Sequence, residues 1–392
     1  MSTRRRRWAV GLMSGTSMDG IDAALVELSG RVDRPRIHLR AFRMMPYPSV
    51  LRKRLMRIAG GEATTAMEIS RLNFALGGLF AESALAVCNQ ARIAPHRLAV
   101  IGSHGQTVFH QGRAENNRVK KSLSPANTLQ IGEASIIAER TGAPVVADFR
   151  PADIAAGGHG APLAPVVDYL LFGNSDESVA TLNIGGIANV TIVPVRAKPK
   201  DVIGFDTGPG NMVVDELIRY FTGGRRTFDR EGQWARRGAV LQRLLDRILR
   251  LPFFRQHPPK SAGREQFGSE FVNRYFLHEK SSRPEDLVRT ATELTVQSVA
   301  AALRSTATSA IQIHRMIVSG GGVHNEFLLE RLREILPEIE IAPSDRYGVP
   351  ADAKEAIAFA LLADRRLRGL PGNLPSVTGA RRPVLLGKLV RL

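Results

Sequence analysis

Cysteine is almost absent from this chain of 392 residues, and Cys88 is its single example. No intramolecular disulfide can form, and a metal site built from several thiolates is excluded. Such sparse cysteine fits a protein that is kept in a reducing compartment. Long apolar runs are lacking too, since none reaches the roughly 18 to 20 residues that cross a bilayer, and we expect no membrane association.

Aromatic residues are few, at 6%, and the 37 acidic residues are outnumbered by 54 lysines and arginines, which gives a net charge of +17. A charge of this size is compatible with nucleic-acid binding. However, the basic residues are scattered, and no basic stripe is interleaved with aromatic residues. We interpret the charge as general arginine richness with some attraction for an anionic nucleotide and an acidic substrate, and we expect no nucleic-acid partner.

Two widespread ligand motifs are missing from the sequence. The chain contains no G-x-x-x-x-G-K-[ST] loop for nucleotide phosphates and no H-E-x-x-H spacing for zinc. A nucleotide site would therefore have to use other glycine-rich turns, and the sequence assigns no residue as a metal ligand.

The length is too great for one compact core and predicts two domains. Each half of the chain begins with two apolar segments around a glycine-bearing turn and continues into mixed helix and strand. These apolar pairs are residues 8–13 with 21–28 and residues 179–184 with 188–193. The repeated pattern predicts an α/β fold of two similar domains with a ligand cleft between them.

The predicted domain boundaries follow from this pattern. We expect a first domain over residues 1–150, a second over 151–369, and a tail from about 370 to 392 that packs back on the first. Residues 111–127 are polar and basic without periodicity, which predicts a surface loop. Further elements are predicted as helices over 64–91, 211–222, 284–302 and 352–367 and as a strand over 201–205.

The first turn that could carry chemistry is Gly11-Leu-Met-Ser-Gly-Thr-Ser-Met-Asp-Gly-Ile-Asp22. A turn rich in glycine and hydroxyl residues offers N–H and O–H groups to an anion. Asp19 and Asp22 would repel a bare phosphate, so a metal-bound nucleotide is the better ligand. The alternative is an ordinary polar turn in which glycine and aspartate serve only the backbone geometry.

Two further glycine turns occur in the second half of the chain. Thr181-Leu-Asn-Ile-Gly-Gly-Ile-Ala-Asn189 matches the first turn in position, and Val318-Ser-Gly-Gly-Gly-Val-His-Asn-Glu326 runs from a predicted strand into a helix. A helix start after glycines can bind an anion or let a planar base lie against the backbone. Three such turns in this order favour a nucleotide site more than any one of them alone.

A carboxylate follows a predicted strand in Gly204-Phe-Asp-Thr-Gly-Pro-Gly-Asn211. Asp206 is placed at the C-terminal end of that strand, where side chains reach the usual ligand side of an α/β sheet. The functional interpretation is a general base. The structural alternative is the N-cap of the following helix.

Three other polar positions have two interpretations each. The segment over residues 146–163 joins the predicted halves and is either a hinge that grips substrate or a plain linker. His104 is a ligand or base, or a structural histidine bonded to backbone. Glu355 lies on an apolar helix face, where it needs a partner or ligand unless it lies at the helix border.

Taken together, these motifs resemble the anhydro-N-acetylmuramic acid kinase family from about residue 8 to residue 380. The matching segments are Gly11 to Gly20, Ile101-Gly-Ser-His-Gly-Gln-Thr107, Val146 to Arg150, Leu182 to Gly186, Gly204 to Asn211, Phe228-Asp-Arg-Glu-Gly232, Pro259-Lys-Ser-Ala-Gly-Arg-Glu265 and Val318 to Gly322. The resemblance implies the duplicated ribonuclease H-like fold of actin, the sugar kinases and the 70-kilodalton heat-shock chaperones. It also implies ATP and Mg²⁺ as cofactors, a homodimer and a role in recycling cell-wall sugars in a bacterial cytoplasm.

The resemblance also implies roles for individual residues. Asp206 would be the catalytic base, and the sugar would contact Thr107, Asp153, Glu355 and, as a substitute, Arg150. The nucleotide would be bound by Gly15, Thr16, Ser17, Met18, Asp19, Gly20, Ile21, Asp22, Gly185, Gly186, Gly320, Gly321 and Gly322.

The chain departs from the family pattern at three places. Pro151 stands where an arginine is usual, His159 stands where a glutamine is usual, and the loop over 111–127 is longer than expected. Pro151 leaves one sugar contact without a residue, and Arg150 is its nearest substitute. None of these departures touches the glycine turns or Asp206.

The family reaction would open the anhydro bridge of 1,6-anhydro-N-acetylmuramic acid with water and phosphorylate O6 with ATP. Opening that bridge is a glycosidic hydrolysis, and capture of O6 by the γ-phosphoryl group removes the need for a carboxylic acid to protonate it. One carboxylate then suffices. The alternatives are a kinase for a different sugar or small acid, a nucleotide-switched binding protein, and a nucleic-acid binder.

Overall fold

The computed structural model of the chain describes residues 6–15, 18–31, 33–112, 115–117, 122–258, 260–279, 283–307 and 311–391. The chain divides into two compact units. The first unit is Met1–Leu171 with Ala353–Leu392, and the second is Phe172–Asp352.

The described residues form the following strands: β1 Arg7–Ser14, β2 Gly20–Gly30, β3 Pro35–Pro46, β4 Leu98–Gln111, β5 Glu115–Asn117, β6 Ser122–Ser124, β7 Asn127–Ile131, β8 Val145–Ala147, β9 Ser178–Ile184, β10 Ile187–Val193, β11 Ile203–Pro209, β12 Ile313–Ser319, β13 Glu340–Pro343 and β14 Lys388–Val390. They also form the following helices: α1 Ser49–Ala59, α2 Ala66–Ala91, α3 Ala134–Thr141, α4 Phe149–Ala155, α5 Pro165–Phe172, α6 Met212–Phe221, α7 Gln233–Arg237, α8 Gln242–Leu249, α9 Pro252–Arg255, α10 Arg264–Phe267, α11 Ser269–Tyr275, α12 Pro284–Thr306, α13 Glu326–Ile335, α14 Lys354–Leu367 and α15 Pro375–Thr378.

The two sheets repeat one strand order. In the first unit, β1, β2 and β3 form an antiparallel meander, β4 pairs parallel with β1, and β8 pairs parallel with β4. In the second unit, β9, β10 and β11 form the same meander, followed by parallel β12 and β13. This order is that of a ribonuclease H-like domain, so the predicted duplicated α/β fold is confirmed.

The division of the chain differs from the predicted boundaries after residues 150 and 369. Helix α14 belongs to the first unit because two glycines let it lie directly on β1 and β4. A Cβ atom added to Gly11 would be 1.8 Å from the carbonyl oxygen of Ala356, and one added to Gly102 would be 2.1 Å from that of Phe359. The C-terminal strand β14 pairs with β8 and extends the same sheet.

Among the described residues, α2 is the one helix whose length and apolar composition would allow it to cross a membrane. Half of its most apolar stretch is buried, and Leu72, Leu76 and Phe80 lie in the core of the first unit. The apolar composition of α2 is therefore accounted for by its place as a core helix.

Helix α12 connects two cores of the second unit. Its residues Val296, Val299 and Leu303 pack against the sheet, whereas Leu287 and Leu294 pack among α6, α8 and α11. The helix is buried on more than one side, and its buried hydroxyl groups are satisfied by backbone carbonyls, as Thr292 Oγ1 is by the Val288 carbonyl oxygen.

Two local predictions were wrong. Strand β11 does not end at residue 205 but continues through Gly208 to Pro209, because a bulge at Ala188/Asn189 keeps it paired with β10 beyond the point where Gly-Pro-Gly suggests a turn. The segment over 111–127 is not only loop, since β5 pairs with β6 there. Residues 113–114 and 118–121 of that segment lie outside the described residues.

Candidate active site

The turn that follows β1 is braced by buried polar side chains. The Ser14 hydroxyl lies 2.7 Å from both Gln106 Oε1 and the Gly20 carbonyl oxygen, and it accepts a hydrogen bond of 3.0 Å from the Tyr47 hydroxyl. Gln106 Nε2 donates to the Gly15 carbonyl oxygen at 3.3 Å. Side chains from β4 and from the residue after β3 therefore fix both ends of the turn.

Within this turn, Met18 has a positive φ of 54° and donates its N–H to the Gly15 carbonyl oxygen at 3.2 Å. Asp19 is exposed and forms an ion pair with Arg52. Asp22 and Ile21 lie on β2 beyond the turn. The predicted nucleotide-binding residues Thr16 and Ser17 lie outside the described residues.

Glutamine 106 was not singled out as a site residue, although it lies in the quoted motif between His104 and Thr107. No local signal marks it as a buried amide, because its neighbours in the sequence, Ser103 to Gly105 and Thr107, are polar or glycine. Thr107, which was predicted to contact the sugar, lies on β4 and accepts a hydrogen bond of 3.3 Å from Gln130 Nε2 on β7.

His104 and Arg150 are joined by a direct hydrogen bond. Arg150 Nε donates to His104 Nε2 at 3.0 Å, and His104 Nδ1 lies 2.9 Å from the Gly105 carbonyl oxygen. Because an arginine can only donate, the imidazole is neutral with its proton on Nδ1. Burial and the Arg150 charge hold the pKa of His104 well below its usual value. These hydrogen-bond partners favour the interpretation of His104 as a structural histidine bonded to backbone.

Arg150 also donates through Nη1 to the Gly160 carbonyl oxygen at 2.9 Å. Burial lowers its pKa to about 10, against the opposing negative charges of Glu355 and Asp153. Glu355 is half-buried in the first turn of α14, where burial raises its pKa and the charges of Arg150 and Lys354 oppose that shift. The charges of Arg150 and Glu355 therefore influence each other.

Asp153 is fully buried, and both of its carboxylate oxygens bind protein groups. Oδ2 accepts a hydrogen bond of 2.8 Å from the Gly160 N–H, and Oδ1 accepts bonds of 2.7 Å from Asn373 Nδ2 and Thr378 Oγ1. The segment over 146–163 belongs to the first unit and is held there by the C-terminal tail, so it does not mark the division between the units.

The corresponding turn of the second unit, Gly185-Gly186, is braced by backbone groups. The N–H groups of Gly210 and Met212 donate to the Gly186 carbonyl oxygen at 2.9 and 3.2 Å, and that of Asn211 donates to the Gly185 carbonyl oxygen at 2.8 Å. The start of α6 therefore holds the turn between β9 and β10.

The Gly320-Gly321-Gly322 turn follows β12 and leads through a short 3₁₀ turn to α13. Gly320 has φ of 81°, and an added Cβ atom would lie 2.6 Å from Asn183 Oδ1. In contrast, nothing lies closer than 3.9 Å to a Cβ atom added at Gly321, or than 3.7 Å at Gly185. Packing requires glycine at position 320, whereas positions 185 and 321 leave room for a methyl group at ordinary van der Waals distance.

Asp206 is half-buried in the middle of β11, opposite Asn189 of β10. Its Oδ2 atom accepts a hydrogen bond of 2.8 Å from the Ala262 N–H. The N-cap of α6 is Asn211, so the predicted N-cap alternative for Asp206 is wrong, as is its placement at the end of a strand. Both errors have the same cause, the extension of β11 through Gly208.

No group of three or more His, Cys, Asp or Glu side chains that could hold a metal ion occurs in the part of the chain that the structure describes. A Mg²⁺ ion usually keeps several waters and binds one or two carboxylates together with substrate phosphates. The exposed carboxylate of Asp19 fits that kind of site, in which the nucleotide supplies most of the ligands.

A duplicated ribonuclease H-like fold with a glycine turn between the first two strands of each unit defines the structural class that actin, the sugar kinases and the 70-kilodalton heat-shock chaperones share. Within that class, the sequence profile of the anhydro-N-acetylmuramic acid kinase family matches residues 7–391. The chain belongs to the anhydro-N-acetylmuramic acid kinase family.

Individual relatives agree with this membership. The chain is 42% identical over 390 residues to the anhydro-N-acetylmuramic acid kinase of Caldanaerobacter subterraneus, with 98% of this chain and 97% of the relative covered. It is 43% identical over 379 residues to that of Gloeobacter violaceus, with 97% of each chain covered.

Solved structures similar to the chain are more distant. Component A of the (R)-2-hydroxyglutaryl-CoA dehydratase of Acidaminococcus fermentans has a TM-score of 0.46 at 10% identity, with 92% of this chain and 99% of that chain covered. The ROK hexokinase of Thermus thermophilus has a TM-score of 0.34 at 16% identity, with 91% and 99% covered.

Proposed function

We propose that the protein uses ATP and water to convert 1,6-anhydro-N-acetylmuramic acid into N-acetylmuramic acid 6-phosphate and ADP. The observation that carries this proposal is the oriented carboxylate of Asp206 in a chain that matches its family over nearly its whole length. The anhydro sugar is a product of cell-wall breakdown, so the reaction would serve cell-wall recycling. We further propose that the protein acts in the cytoplasm as a homodimer.

The proposed chemistry needs one base and one phosphoryl acceptor. Asp206 takes a proton from the water whose oxygen attacks C1, and the bond between C1 and O6 breaks. The released O6 attacks the γ-phosphorus of ATP, and ADP leaves. Because the phosphoryl group captures O6 directly, no second carboxyl group has to protonate it.

We assign the nucleotide to the glycine turns of both units. Gly185 and Gly321 support this assignment, because packing does not require glycine at either position and a larger side chain would project into the volume that a nucleotide needs. In the first unit, we assign the phosphates to residues Gly15 to Asp22, because a sequence rich in glycine and hydroxyl residues offers N–H and O–H groups to an anion. Mg²⁺ would neutralise phosphate charge, with Asp19 as a protein ligand.

We assign the sugar to Thr107, Arg150 and Glu355 of the first unit. Arg150 supplies a positive charge for the lactyl carboxylate of the substrate, and Glu355 supplies an acceptor for its hydroxyl groups. The carboxylate of Asp153 already binds three protein groups, so its proposed part is to hold the Gly160 segment that Arg150 contacts.

A second candidate is a kinase for a different sugar or small acid. Pro151 and His159 favour it, because both differ from the usual family residues beside the proposed sugar contacts. A panel of sugars with and without the anhydro bridge distinguishes the two functions. Higher kcat/KM for a sugar without the bridge would favour the second candidate.

The deciding experiment is the reaction in ¹⁸O-labelled water, analysed by mass spectrometry. We expect the label on C1 of the product and none on the phosphate, since water attacks carbon and O6 attacks phosphorus. A reaction without ATP is the control and should leave the anhydro sugar intact. Label on the phosphate would indicate plain ATP hydrolysis and contradict the proposal.

A further inference from the structure

The segment from Lys260 to Ala262 holds Asp206 through two hydrogen bonds. The Asp206 N–H donates to the Lys260 carbonyl oxygen at 3.1 Å, and the Ala262 N–H donates to Asp206 Oδ2 at 2.8 Å. The segment lies outside helices and strands, since α10 begins only at Arg264. The orientation of the proposed base therefore depends on a piece of chain that must itself be anchored.

The Lys260 side chain provides such an anchor. Its Nζ atom donates to the Phe253 carbonyl oxygen at 3.3 Å and lies 4.7 Å from the centroid of the Phe253 ring and 5.9 Å from that of Phe205. Phe253 is itself buried against Phe254 and Phe267. An ammonium group over aromatic rings gains a cation–π attraction that partly offsets the cost of removing it from water.

The positive charge of Lys260 also acts on the Asp206 carboxylate. Phe205, over which the ammonium lies, precedes Asp206 on β11. Burial lowers the pKa of Lys260, and the Asp206 carboxylate opposes that shift. Since the attraction between two charges is mutual, the same ammonium favours the ionised carboxylate, which is the form that accepts a proton.

We propose that Lys260 is a positioning residue for Asp206: its half-buried ammonium fixes the 260–262 segment and keeps the carboxylate oriented and charged for the proton transfer from water. The inference rests on the proposed function, in which Asp206 is the base. It adds a role for the Pro259-Lys-Ser-Ala-Gly-Arg-Glu265 segment, which the proposed reaction otherwise leaves without one.

The first test compares Lys260→Met with Lys260→Arg. We expect Lys260→Met to lower kcat about 10- to 100-fold with little change in KM for either substrate, because a lost charge-assisted contact to the base affects the chemical step. Lys260→Arg keeps the charge and should recover part of that loss. Lys388→Met removes an exposed lysine of the first unit and should leave kcat unchanged.

The second test is a double-mutant cycle with Asp206→Asn. If Lys260 acts through Asp206, Lys260→Met should change the rate of the Asp206→Asn protein by less than about 3-fold. Equal losses in both backgrounds would show that Lys260 acts independently of Asp206 and would overturn the inference, as would normal kcat in Lys260→Met. Normal kcat in Asp206→Asn alone would instead contradict the proposed base, whatever Lys260 does.

A backbone variant covers the case in which Lys260→Met does not fold, as judged by its thermal unfolding. Ala262→Pro removes the N–H that Asp206 accepts from, whereas Ala262→Gly keeps it. We expect a fall in kcat of at least about 10-fold for proline relative to glycine at equal folded fraction. Equal kcat values would overturn the role of the segment.

Discussion

The two units share a strand order but brace their first glycine turns with different chemical groups. In the first unit, the side chains of Ser14, Gln106 and Tyr47 hold the turn after β1. In the second, backbone N–H groups at the start of α6 hold the turn after β9. The shared strand order places a glycine turn at the same point of each unit. The groups that hold the turn differ between the units, because the residues around it differ.

The third strands differ as well. Strand β3 contains no acidic residue, whereas β11 carries Asp206. The third strand of the first unit therefore has no carboxylate that corresponds to Asp206 in the second unit.

The largest effect is expected from Asp206→Asn, because it makes β11 resemble β3 in lacking a carboxylate. The amide cannot accept a proton from water, so kcat should fall roughly 10²- to 10⁴-fold, the usual worth of a general base. Thermal unfolding should change little, since an amide oxygen can still accept from the Ala262 N–H. Turnover close to that of the unsubstituted protein would remove Asp206 from the role.

A smaller effect is expected from Gly320→Ala, with Gly321→Ala as its matched control. At position 320 the positive φ and the 2.6 Å approach to Asn183 Oδ1 should cost about 1–3 kcal/mol of unfolding free energy. At position 321 the nearest atom to the methyl group, Asn211 Nδ2, is 3.9 Å away, so stability should hold while KM for ATP rises. Urea unfolding and ATP titrations measure both, and equal stability losses would contradict the distinction.

The contrast between side-chain and backbone bracing predicts a difference between Ser14→Ala and Asn211→Ala. Ser14→Ala leaves buried Gln106 and Tyr47 groups without a partner and should cost about 1–2 kcal/mol. Asn211→Ala keeps the backbone N–H that holds the Gly185 carbonyl and should cost about half as much or less. Urea unfolding of both variants measures this difference, and a larger loss for Asn211→Ala would reverse the comparison.

A further effect depends on pH and is confined to the first unit. The pKa of His104 lies well below 6.5 in the folded protein, so the unfolded chain binds a proton that the folded one does not once the pH falls below about 6.5. Stability should therefore decline as the pH falls from there towards the folded pKa. His104→Gln should weaken that decline by up to about 1.4 kcal/mol per pH unit.

Urea unfolding at about pH 7, 6 and 5 measures this slope. Identical slopes in the His104→Gln protein and the unsubstituted one would contradict the neutral, buried state of His104.

Prediction from the sequence was most successful for elements that are marked by a hydrophobic repeat or by a glycine turn within a few positions. The helix over 284–302 and the strand pair around Gly185-Gly186 were confirmed close to their predicted bounds, because hydrophobic repeats and turn residues act over a few positions. The strand containing Asp206 was predicted too short, because its last residues are held by pairing across a bulge rather than by their own propensity.

Several contacts of the candidate site join residues that are far apart in the chain. Asp153 binds Asn373 and Thr378 more than 200 positions away, and Lys260 reaches Asp206 through a segment with no regular structure. No periodicity or turn propensity links such pairs, so these contacts depended on the packing of the tail and of the aromatic cluster.

The amino-acid sequence alone determined the duplicated α/β fold, the three glycine turns and the family to which the chain belongs. These features follow from local hydrophobic patterns and from motifs that keep their order along the chain. Folding in three dimensions determined which unit helix α14 joins, which polar groups brace each turn, and how Asp206 is held. Those outcomes depend on close packing and on hydrogen bonds between distant residues, which form only when the chain has collapsed into its cores.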